Sequence, residues 1–144
     1  MSDSSLRAVG WARSLPLDTT VKAARDWARE HMQSLDWAES SPDTVDAALL
    51  TISELVTNAH VHAHSAADLV LTWDGSCLHV AVHDTSSHLP TPRPVDFERP
   101  NGRGMLLVDA LSDTWQARPC PAGKIVHACF RPSKGDAGDG AGTG

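Results

Sequence analysis

Val45, Ala48, Leu49, Ile52, Leu55, Val56 and Ala59 recur at the i, i+3, i+4, i+7 spacing of one buried helix face. No other stretch is so regular, so a helix over about 43–63 is the element against which the rest must pack. Ser40-Ser41-Pro42 lies just before it and offers capping groups. A second row, Thr51, Glu54, Asn58 and His62, runs at three- and four-residue intervals along a different face. A polar row of constant phase beside a buried stripe can line a cavity.

The flanking segments settle the fold class. Residues 6–15 alternate loosely around Val9 and Trp11 and stop at Pro16, as a first strand would. Asp18 or Thr19 can cap a following helix whose stripe is Val21, Ala24, Trp27 and Ala28. Residues 68–73 and 78–83 read as a hairpin around Asp74-Gly75-Ser76. Residues 84–101 hold four prolines and no apolar periodicity. A loop of that length inside a domain is usually functional or disordered. Gly102-Arg103-Gly104 then opens a short apolar helix, and 115–118 and 124–131 read as two closing strands.

Strands returning by hairpins predict an α+β two-layer sandwich, with a mixed, mostly antiparallel sheet and helices on one face. The expected organisation is a flexible start at 1–5, one domain over 6–131 and a disordered Gly- and Asp-rich tail over 132–144.

Charge and composition remove several functions. A net charge of −6 argues against a nucleic-acid partner, since phosphate backbones demand clustered Lys and Arg. A single triphosphate stays admissible, because backbone amides and Mg²⁺ can hold it. No run reaches the ~18 apolar residues of a membrane span, and the first residues do not form a secretory signal. The expected location is the cytoplasm, with no membrane contact. Cys77, Cys120 and Cys129 lack metal-type spacing and read as reduced thiols. His60 and His64 share a helix face, but His62 points away and no closing ligand follows, so no zinc site is expected there.

Four features carry chemistry. Asn58 offers a neutral oxygen to a Mg²⁺ ion that also binds phosphate. Glu54, one turn earlier, is placed to accept a proton. Asp84, at a strand end, can accept a hydrogen bond from an adenine amino group or simply cap a turn. Gly102 and Gly104 let phosphate approach free amides at a helix start, although a G-x-G by itself is weak.

Together these motifs resemble the GHKL ATPases. Glu54-Leu-Val-Thr-Asn58-Ala-His-Val-His62-Ala63 is similar to their N box, and Gly102-Arg-Gly-Met-Leu-Leu-Val-Asp109 to their second glycine box. Val82-His-Asp84 corresponds to the start of the first glycine box. Within the superfamily the chain is most similar to the anti-sigma-factor serine/threonine kinases and their actinobacterial ATP-binding relatives. That resemblance implies a Bergerat-type sandwich, a lid at 85–101 and the cofactors ATP and Mg²⁺. It makes Asn58 the metal ligand, Glu54 the catalytic base, and Asp84, Gly102, Arg103, Gly104 and Met105 the nucleotide contacts; His62 matches a family position without a firm role. It implies a sigma factor or an anti-anti-sigma antagonist as partner and allows a homodimer, with the first strand and Trp11 as a contact. Two departures stand out. Asp84-Thr85-Ser86-Ser87-His88 lacks the glycines of Asp-x-Gly-x-Gly, and Ile125 follows Gly123-Lys124 where a hydroxyl is common. A non-catalytic partner-binding module with a degenerate nucleotide site is therefore the alternative.

Overall fold

The computed structural model describes residues 8–86 and 104–132. The expected flexible start, most of the lid and nearly all of the tail lie outside them. Five strands form one sheet in the order β1-β2-β3-β5-β4, where β1 is Val9–Leu15, β2 Ala67–Trp73, β3 Leu78–Asp84, β4 Thr114–Cys120 and β5 Gly123–Phe130. Every pairing is antiparallel. The sandwich is as expected, and the described sheet has no parallel pair.

Helix α1, Val21–Met32, is capped by Thr20, whose Oγ1 accepts from the Ala23 amide at 3.0 Å. The capping hydroxyl is thus Thr20 rather than Asp18 or Thr19, because only Thr20 sits directly before the first helical residue. Helix α2, Pro42–Thr57, begins with proline at its first position, where no amide hydrogen is needed. Its buried residues include Val45, Ala48, Leu49, Ile52, Leu55 and Val56, the stripe read from the sequence. Arg25 reaches across from α1 and donates to Ser53 Oγ at 3.1 Å.

Past Thr57 the helix widens into a π-helical turn, Asn58–His62. The Ala63 amide bonds back to the Asn58 carbonyl at 3.0 Å, five residues earlier. His64 then adopts a left-handed conformation (φ 50°), and the Ser65 amide closes onto Ala59 at 2.9 Å. Such widened turns occur disproportionately at functional sites.

Burial alternates along the central strands. Leu78, Val80, Val82 and Asp84 of β3 face the helices with Val126, Ala128 and Phe130 of β5. His79, Ala81, His83, Ile125, His127 and Cys129 occupy the opposite, half-open face. The β2–β3 hairpin is set by Asp74, whose Oδ1 accepts from the Ser76 and Cys77 amides at 2.9 and 2.8 Å, with Gly75 at φ 98°. Trp11 is part-exposed and stacks on His31 of α1 with ring centroids 5.1 Å apart.

Candidate functional site

The site is built where α2 runs out. Asn58 closes α2 and opens the π-helical turn, and its Nδ2 donates to Met105 Sδ at 3.6 Å. Met105 is the second residue of α3, Gly104–Leu111, and is buried at 5% exposure. The α2 amide therefore meets the beginning of α3, 47 residues away in sequence. Gly102 and Arg103 lie outside the described residues, while Gly104 is the first residue of α3. Asp109 anchors the far side of that helix by accepting from Trp115 Nε1 at 2.8 Å.

Glu54 lies one turn before Asn58, half-buried, and its carboxylate has no partner among the described residues. Thr51, one turn further back, is fully buried, and its hydroxyl has no hydrogen bond among the described residues. An unpaired buried hydroxyl costs about 1–3 kcal/mol, so this atom is unusual for a packed helix. His62 completes the polar row in the sequence but is exposed. His60 instead bonds the Leu15 carbonyl at 3.1 Å and ties the turn to the end of β1.

Asp84, at the end of β3, is in an arrangement the sequence did not disclose. Lys124 stands opposite it in the β3–β5 register. Its ammonium donates to Asp84 Oδ1 at 3.0 Å and lies 2.9 Å from Oδ2. The Ser86 amide adds a bond to Oδ1 at 2.8 Å. Three of the roughly four acceptor positions of a carboxylate are filled, which leaves one on Oδ2. Gly123 allows the close approach: a Cβ there would sit 1.9 Å from the Asp84 carbonyl, and its φ is 138°. Gly-Lys at the start of a closing strand was the visible signal for this pair. Ile125 belongs to the opposite sheet face, so the missing hydroxyl does not fall on the side that carries Asp84.

The family model for the histidine kinase-like ATPase domain matches residues 15–130. The chain belongs to that family. The match spans every described helix and strand from α1 to β5 and takes in only the last residue of β1. No curated protein matched the chain. No described helix is long and apolar enough to cross a membrane.

A histidine kinase-like ATPase domain has the fold that binds ATP, usually with Mg²⁺. The groups at the end of α2 fit such a ligand: a carboxylate and an amide oxygen, neither with a partner among the described residues, lie one turn apart. The Asp84 end fits less openly, since its acceptor is mostly consumed by Lys124.

Proposed function

We propose that this domain binds Mg-ATP and acts in the cytoplasm as a regulatory serine/threonine kinase of the anti-sigma-factor type, phosphorylating an anti-anti-sigma antagonist. The observation that carries the reading is the meeting of Asn58 with Met105 at the start of α3, one turn from the unpartnered Glu54. ATP supplies the phosphoryl group, and Mg²⁺ neutralises charge on the phosphates. The Asn58 oxygen is the metal ligand. Glu54 accepts the proton of the antagonist's serine hydroxyl, a role that suits a half-exposed carboxylate with no competing partner. Gly102, Arg103, Gly104 and Met105 form the phosphate-side contacts, and Asp84 presents its remaining acceptor position to the adenine amino group. Phosphate adds about two negative charges to the antagonist and breaks its contact, which releases the domain to hold a sigma factor.

The Asp84–Lys124 ion pair favours a second reading, a partner-binding module of the same fold with a closed base pocket. Nucleotide titration followed by thermal unfolding separates the two. A ligand at a hundredfold excess over its dissociation constant stabilises by about 2.7 kcal/mol. The kinase reading expects that shift with Mg-ATP, its loss in Asn58→Ala, and transfer of γ-label to a candidate antagonist. An absence of any shift at saturating nucleotide leaves the binding module as the function.

A further inference from the structure

On the sheet face away from the helices, three ligating atoms converge. His79 and Cys129 are direct partners in the β3–β5 register, and His127 precedes Cys129 by two residues on the same strand face. His79 Nδ1 lies 2.9 Å from His127 Nε2 and 3.2 Å from Cys129 Sγ, and the third separation is 3.9 Å. The imidazoles are stacked, with centroids 5.1 Å apart and planes 10° from parallel. All three residues are part-exposed, which gives an ion a way in.

We propose that His79 Nδ1, His127 Nε2 and Cys129 Sγ bind one Zn²⁺ ion, with the fourth coordination position open to solvent. Tetrahedral zinc, with bonds of about 2.05 Å to nitrogen and 2.3 Å to sulfur, separates two nitrogens by about 3.3 Å and nitrogen from sulfur by about 3.6 Å. Each observed separation lies within about 0.4 Å of those values, a change that side-chain rotation supplies. Two imidazoles and a thiolate select zinc over the oxygen-seeking Mg²⁺ and Ca²⁺.

The surroundings are those of a metal ligand rather than of packing alone. His79 Nε2 bonds Asp74 Oδ2 at 2.8 Å, which favours the Nε2–H tautomer and turns the Nδ1 lone pair towards His127 and Cys129. Asp74 is itself held by the Ser76 and Cys77 amides, and His79 keeps its carboxyl well below the usual carboxylate range. Cross-strand packing of two rings and a thiol does not by itself require the anchoring carboxylate. The site shares no residue with the nucleotide site and stands whether or not the kinase reading does.

Cobalt is the probe. Reduced, metal-stripped full-length protein is titrated with Co²⁺ and then with Zn²⁺. One-to-one binding is expected, with a thiolate-to-cobalt charge-transfer band that zinc abolishes. Cys129→Ser removes the band, whereas Cys120→Ser and His62→Ala keep it. Asp74→Asn retains the turn acceptor and weakens zinc by about 10–100-fold. Zinc-edge X-ray absorption of the loaded wild type needs no variant and should show one sulfur at about 2.3 Å. A sulfur-free shell, the absence of a band, or a band indifferent to Cys129→Ser overturns the proposal.

Discussion

Lys124 grips the carboxylate of Asp84 through both oxygens, at 3.0 and 2.9 Å, with the two side chains only 9% and 5% exposed. Such a pair repays its desolvation only while both members are present. Lys124→Met should therefore destabilise the fold by about 3–5 kcal/mol, since it strands a buried carboxylate. Asp84→Leu in the same chain should recover most of that loss, because a well-packed apolar pair can match a buried ion pair. Urea denaturation of the two single variants and the double variant checks this. Additive losses would show that the two side chains do not act as a pair.

Gly123 makes the Asp84–Lys124 arrangement possible. An added Cβ would meet the Asp84 carbonyl at 1.9 Å and the Thr85 Cα at 2.6 Å, and both are backbone atoms that cannot rotate away. Its φ of 138° is also one that side-chain-bearing residues avoid. Gly123→Ala should cost at least about 3 kcal/mol. Gly75→Ala is the control. Its Cβ would meet nothing within 4 Å, although its φ is also positive, so it should lose only about 1–2 kcal/mol. Equal thermal shifts for the two would show that the close approach is not a constraint.

The α2 stripe was legible in the sequence because helical periodicity is local: each apolar residue from Val45 to Val56 announces the next. The hairpin was legible for a similar reason, as Asp74-Gly75 encodes its own turn. Contact between Asn58 and the short helix followed only from resemblance, since 47 residues separate the two partners. The π-turn left no mark, because a five-residue hydrogen bond has no compositional signature. The register that sets Lys124 against Asp84 and His79 against Cys129 arises between strands separated in sequence by α3 and β4, so no local turn encodes their alignment. His127 and Cys129, two apart on a strand, were the one local hint of the second cluster.

The Thr51 hydroxyl lies fully buried without a partner among the described residues. Valine matches its shape and removes the unsatisfied group. Thr51→Val should stabilise the ligand-free protein by about 1 kcal/mol, a rise in Tm of about 3–4 °C. A role for the hydroxyl in holding nucleotide adds a second expectation: the variant should gain less from Mg-ATP than wild type does. Differential scanning calorimetry with and without nucleotide reads both. A ligand-free Tm below wild type would show that the hydroxyl has a partner after all.

Glu54 separates chemistry from architecture most sharply. Its side chain is half-buried and bonds to nothing among the described residues, so the fold does not depend on its charge. Glu54→Gln keeps the shape and should change stability by no more than about 0.5 kcal/mol. It should also leave nucleotide affinity nearly intact, because Asn58 rather than Glu54 is the proposed metal ligand. Loss of a general base lowers a rate by about 10²–10⁴-fold, and label transfer to the antagonist should fall by that factor while thermal stabilisation by Mg-ATP persists. Transfer that survives in Glu54→Gln assigns the proton to another acceptor. Transfer and nucleotide binding lost together place Glu54 in the binding of the metal or the phosphates.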